Sequence, residues 1–179
     1  MTGIPHASVT ASTPFGGPKR KAPWIEHDGR ILGDSTFIIA YLVDRFGVDP
    51  DAGLSADQRG RAVAIQRLVE ENLYWVMVFD RRVRDENGPV LKQSVLGQVP
   101  SAVRGVVAPI ARRDLEALAG MLGDRDWFQG DSPTPVDATV FSLLANIRYV
   151  AFASPMKAMI DNHPNLAGPV DRFRARFYP

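Results

Sequence analysis

Cysteine is absent from the 179 residues, and that gap removes disulfides, thiolate zinc sites, CxxC redox pairs and a cysteine nucleophile together. Histidine is scarce: His6, His27 and His163 are scattered, so no clustered metal site is expected. An excess of one charge is missing too. The 21 basic and 20 acidic side chains leave a net charge of +1, with no surplus to track a phosphate backbone, so nucleic-acid binding is not expected. Nor does any stretch reach the roughly 18 uninterrupted apolar residues of a membrane span. Met1 to Pro18 carries neither the basic n-region nor the apolar core of a secretory signal, so the expected address is cytoplasmic. What is present is 45% hydrophobic residues, enough for one compact domain or two small ones sharing a core.

Residues 1–18 are small, polar and broken by Pro5, Pro14 and Pro18, with neither strand nor helix period, and read as irregular. Order begins at Trp24-Ile25-Glu26. The Asp28-Gly29 pair separates this run from Ile31-Leu32, and both residues tolerate the positive φ of a tight hairpin turn. Two short antiparallel strands are therefore predicted. Phe37, Ile38, Tyr41, Leu42 and Phe46 then recur at helical spacing, with Asp34 or Ser35 as the cap and Gly47 as the stop. Residues 19–48 form this first ordered part, and the polar residues 49–54 are a linker.

Beyond it, residues 55–179 read as helical. Ser55 to Gln58 fits a capping box opening a long helix through Ile65, Leu68, Val69, Leu73, Val76 and Phe79 to about Val83. Residues 86–100 lack a clean period. Val103 to Leu122 resume it, with Pro109 expected to kink or split the helix and Gly123 to end it. Thr134-Pro135-Val136-Asp137 places a Thr cap, a first-turn proline and an acid three residues on, ahead of Phe141, Leu144 and Ile147. Ser154-Pro155 and His163-Pro164 open two further short helices. The last carries Phe173 and Phe177, with Arg172, Arg174 and Arg176 read as a solvated face.

This order of elements, with Pro18-Lys19-Arg20-Lys21-Ala22-Pro23-Trp24-Ile25, Asp34-Ser35 through Leu42, Leu73-Tyr74-Trp75, Trp127 to Asp131, Pro133 to Ala138 and the terminal Arg176-Phe177-Tyr178-Pro179, resembles the glutathione S-transferase superfamily. The wording is most similar to its failed-axon-connections and metaxin-like branch. The resemblance implies an α+β, predominantly α fold: a partial thioredoxin-like domain of a two-strand hairpin plus a helix, packed on an all-helical C-terminal bundle. It places Pro23 on the superfamily's cis-proline, so that the Ala22 backbone pairs with the cysteinyl part of glutathione. It places Asp34 and Ser35 on the pair that holds the γ-glutamyl group, Lys21 at the glycyl carboxylate, and Tyr74 and Trp75 at the apolar co-substrate pocket. The residues themselves allow other readings. Pro23 can simply begin an edge strand, Asp34-Ser35 can serve only as a helix cap, Lys21 belongs to a solvated basic run, and aromatics at helical spacing can be core. Thr134 and Asp137 are assigned to structure, as a capping box.

The superfamily's sulfur-activating residue is a Ser, Tyr or Cys at the end of its first strand or the start of its first helix, where it favours the attacking thiolate. A strand, a helix and a second strand precede the cis-proline there, and a βαβ unit needs roughly 30 residues. Only 22 residues precede Pro23 here, so that unit is expected to be missing. Ser12-Thr13-Pro14-Phe15 resembles the sequence opening the first helix in many members, which makes Thr13 and Ser12 the candidates for sulfur activation. The resemblance thus implies glutathione as co-substrate without a metal, conjugation to a small electrophile as the parent reaction with activity weak or lost, and a homodimer. The alternative is a non-catalytic interaction or scaffolding module with a protein partner, its truncated sheet leaving a strand edge to be covered.

Overall fold

The computed structural model describes residues 2–9, 16–20, 22–83, 101–149 and 154–178. The chain divides into two compact units, Met1–Ala52 and Gly53–Pro179.

In the first unit, strands β1 (Trp24–His27) and β2 (Arg30–Gly33) form an antiparallel hairpin in the register Trp24 to Gly33, Ile25 to Leu32, Glu26 to Ile31 and His27 to Arg30. Asp28 at φ 51° and Gly29 at φ 72° make the two-residue turn with both central residues left-handed, as the Asp-Gly pair predicts. A single 3₁₀ turn, Pro18–Arg20, precedes the hairpin. It lies so close to β2 that a Cβ at Gly33 would come within 3.3 Å of the Pro18 ring. Helix α1 (Ser35–Phe46) follows, capped by the Asp34 carboxylate and ended by Gly47 at φ 62°. The turn end of the hairpin is fastened to it: Tyr41 Oη lies 2.7 Å from His27 Nδ1, the Phe46 ring is 5.3 Å from the imidazole, and the Arg30 guanidinium sits 5.4 Å above the Tyr41 ring. Of the five apolar positions expected to face inward, only Ile38 is buried, and Phe37 is 65% exposed. A two-stranded sheet is too narrow to cover the whole stripe.

The second unit is helical among its described residues. It comprises α2 (Ala56–Arg67), a π-helical turn (Leu68–Leu73), α3 (Tyr74–Val83), α4 (Ser101–Leu122), α5 (Pro135–Arg148), α6 (Pro155–Asp161) and α7 (Pro164–Phe177). The capping box at Ser55 forms in both directions, with Ser55 N–H donating to Gln58 Oε1 at 2.8 Å and Gln58 N–H to Ser55 Oγ at 3.2 Å. Helix α4 runs through Pro109 without splitting, so of the two expected outcomes, a kink or a split, the split does not occur. Pro109 occupies an exposed position, where water can satisfy the carbonyl freed four residues earlier. The core gathers Ile65, Val69 and Leu73, then Leu115, Leu118 and Leu122 of α4, Val140 and Leu144 of α5, Ile160 of α6, and Leu166 and Val170 of α7. At the entrance to α5 the buried Asp137 carboxylate accepts from Phe128 N–H (2.8 Å), Thr134 N–H (2.8 Å) and Thr134 Oγ1 (2.9 Å). One side chain thereby ties the 127–130 turn to the helix it caps.

Candidate functional site

The hairpin register determines which residues meet. Because Trp24 faces Gly33, the residues flanking them, Pro23 and Asp34, are brought side by side, and Asp34 N–H donates to the Pro23 carbonyl at 3.2 Å. The Ala22–Pro23 peptide is cis. Ala22 lies two residues before the strand, and its own N–H and C=O have no partner among the described residues. A backbone donor and acceptor are thus presented where the ladder stops.

On the other side of the corner stands the start of α1. Asp34 adopts φ 76° and ψ 123°, a conformation that non-glycine residues rarely occupy. Its Oδ1 accepts from Thr36 N–H at 3.0 Å, and its carbonyl accepts from Ile38 N–H at 2.9 Å. The N–H groups of Ser35 and Phe37 and the Ser35 hydroxyl have no partner among the described residues. Ser35 and Asp34 are both exposed. Unpaired donors at a helix N-terminus favour an anion, and the carboxylate beside them favours a cation. Together they match the two charges of an amino-acid head group, a carboxylate next to an ammonium.

Ala22, Pro23, Asp34 and Ser35 are therefore brought together at one end of the hairpin. Lys21, Thr13 and Ser12 lie outside the described residues. Tyr74 and Trp75 belong to the helical unit, at the start of α3, where their rings meet edge to face with centroids 5.3 Å apart. They are 44% and 63% exposed, so the core alternative does not hold for either. The sequence did not reveal the Pro23 to Asp34 bond or the free amides of Ser35 and Phe37. The hairpin register and the Asp34 cap, both readable from spacing, are the signals that lead to them.

The comparisons with known proteins identify the family. The description "Glutathione S-transferase N-terminal domain" matches residues 1–87, and "Glutathione S-transferase, C-terminal domain" matches residues 111–173. The chain is 30% identical to an isoprene-epoxide glutathione S-transferase of Rhodococcus sp., over 89% of this chain and 79% of that protein. It is 26% identical to Failed axon connections of Drosophila melanogaster, over all of this chain but only 52% of that protein. Among solved structures, a glutathione S-transferase of Methylobacterium radiotolerans in complex with glutathione sulfonate is 25% identical at a TM-score of 0.63, covering 95% of this chain and 75% of that one. A β-etherase of Sphingobium shares the fold at a TM-score of 0.66 and 19% identity, over 89% of this chain and 76% of its own. The chain belongs to the glutathione S-transferase superfamily.

Proposed function

We propose that the corner between Pro23 and α1 binds glutathione and that the protein is a glutathione S-transferase-like enzyme acting on a small, largely apolar electrophile. The observation that carries this reading is the pairing of unfilled backbone donors at Ser35 and Phe37 with the Asp34 carboxylate. Ser35 and the helix amides would hold the γ-glutamyl carboxylate while Asp34 faces its ammonium. The Ala22 N–H and C=O would pair with the cysteinyl backbone, and Lys21 would meet the glycyl carboxylate. A relative named for isoprene epoxide supports an epoxide as the electrophile class. The glutathione thiolate then forms a C–S bond as the epoxide C–O bond breaks, and the alkoxide takes a proton from water. Thr13 or Ser12 is the proposed thiolate stabiliser; Thr13→Ala and Ser12→Ala variants with undiminished conjugation would remove both from that role. Isothermal titration tests the site itself. Heat is expected with millimolar glutathione, weakened in Ser35→Ala, and no heat would reject the assignment.

A non-catalytic scaffolding role is the second reading. It is favoured by the exposed Ile31, Phe37 and Ile39 of the first unit, apolar surface of the kind that partner proteins or a second copy cover. We propose a homodimer on the same grounds. Light scattering showing a monomer at high concentration would count against self-association. Conjugation activity on epoxides would separate the enzyme from the scaffold.

A further inference from the structure

Trp75 is exposed because the helix that carries it changes register just before reaching it. Ile65 and Val69 point into the core, each 2% exposed. In an unbroken α-helix, at about 100° per residue, the positions continuing that direction are Asn72, Val76 and Phe79. Leu73 and Met77 would drift toward the rim, and Trp75 would flank the buried face. The structure has another arrangement: Leu73 is 0% exposed and Met77 7%, Val76, also 7%, flanks them, and Trp75 is 63% exposed. The cause is the π turn Leu68–Leu73, closed by the Tyr74 N–H bonding to the Val69 carbonyl five residues back. A π turn takes up one extra residue and so rotates everything beyond it by about 100°. Leu73 and Met77 turn inward, and Trp75 turns to the opposite face.

Asn72 sits at the hinge of this change. Instead of occupying the core centre, its Nδ2 donates to Asp114 Oδ2 on α4 at 2.5 Å. Asp114 is 2% exposed, and besides Asn72 its carboxylate is met, among the described residues, only by the Arg113 guanidinium at 3.4 Å. A carboxylate so buried needs its donor, and in the π-turned register the Asn72 amide supplies it. We propose that Asn72 and Asp114 are positioning residues. Their bond holds the π turn, and the turn presents Trp75 outward beside Tyr74 as the aromatic contact surface for the electrophile; the last step rests on the co-substrate reading given above.

Hydroxyl-radical footprinting read by mass spectrometry separates this from a general stabilising role. Asn72→Leu removes the donor and rewards the unbroken helix, in which position 72 is core. Trp75 oxidation is expected to fall several-fold while Met77 oxidation rises, opposite changes that general loosening would not produce. Asp114→Asn keeps an acceptor and should retain the parent pattern. Deleting Glu71 removes the extra residue directly and should also retain it, with Trp75 out and Met77 in. If Asn72→Leu does not fold, Asn72→Leu with Asp114→Leu removes the orphaned carboxylate and is read the same way. An unchanged Trp75 to Met77 ratio in the leucine variants, or a ratio lost on deleting Glu71, overturns the proposal. KM for an apolar electrophile is read alongside: a reversed footprint with unchanged KM overturns the co-substrate half and leaves glutathione binding unaffected.

Discussion

The helical unit and the hairpin unit are built on opposite principles. Among the described residues of the hairpin unit one apolar side chain, Ile38, is buried, and the rest of its order comes from hydrogen bonds, a tight turn and ring contacts. The helical unit buries a continuous layer of Leu, Ile and Val from seven helical segments, and two of its four described buried polar residues, Thr134 and Asp137, form a cap. Apolar burial stabilises by about 25 cal/mol per Å², so most of the folding free energy resides in the helical unit. Yet the site proposed for glutathione lies in the hairpin unit. Stability and ligand chemistry are largely separable in this chain, and substitutions can be chosen to make them part further or to show that they do not.

The largest effect is expected from Asp137→Ala. It strips three donors of their acceptor in a buried place, at Phe128 N–H and at the backbone and hydroxyl of Thr134. The cost is about 3 to 5 kcal/mol, read from urea unfolding followed by far-ultraviolet circular dichroism. Glutathione heat in the molecules still folded should be unchanged. Next comes a matched pair. Leu115→Ala, at a position with no exposure, should cost about 3 kcal/mol in the same helical transition. Ile38→Ala should abolish glutathione heat and leave that transition in place. Should Ile38→Ala lower the helical midpoint as much as Leu115→Ala does, the two units unfold together and the contrast is lost.

The parts of this fold visible in the sequence are those specified by neighbouring residues. Asp28-Gly29 announces the hairpin because the turn needs both residues at positive φ, and Ser55 and Thr134 announce helices because their caps are local. Asp34 and Ser35 were legible for the same reason. What was not legible depends on distant partners. A π turn leaves no mark in composition, so the helical wheel places Phe79 on the inner face and overlooks Met77, although it is Met77 that is buried. The exposure of Trp75 is hidden by the same turn. Pro109 reads as a break because the sequence does not tell that its side of α4 is open to water. Phe37 reads as core because the width of the sheet beneath α1 is not a local property.

One buried polar group in the helical unit runs against its principle. Gln129 is 5% exposed, and its Oε1 and Nε2 are both buried without a hydrogen-bond partner among the described residues. Its backbone carbonyl does accept from Gln58 Nε2 at 2.9 Å, so the main chain there is anchored without the side chain. Gln129→Met keeps the length of the side chain and removes the two unpaired groups. It should raise stability by about 1 kcal/mol, seen as a higher melting temperature. A lower one would show that the amide is satisfied in solution and that the exception is only apparent.

The smallest effect belongs to the charged cluster joining α5 and α7, and it fixes how little surface electrostatics adds to the core. Arg148 binds Asp171 at 2.5 Å and Asp161 at 3.1 Å, and Tyr149 Oη lies 2.6 Å from Asp171. The hydrogen bond from Arg148, then that from Tyr149, holds the Asp171 carboxyl below its ordinary 3.8. A carboxylate with a depressed folded value stabilises the protein above its ordinary pKa, and the contribution is lost as pH falls through the folded value. Burial first, then the bond to Asp171, pushes the Tyr149 phenol above 10.0. That contribution is present below pH 10 and is lost as pH rises through the raised value. One cluster therefore contributes to both limbs of the stability profile, and Asp171→Asn should remove its share of the acid limb and part of its share of the alkaline limb. Since the Asp171 side chain is 56% exposed, water and salt screen the pair, and the change at neutral pH should be a few tenths of a kcal/mol. Melting temperature against pH, at low and high salt, checks both the shape and the size. A loss approaching that of Leu115→Ala would mean that the ends of α5 and α7 are held by charge as firmly as their middles are held by packing.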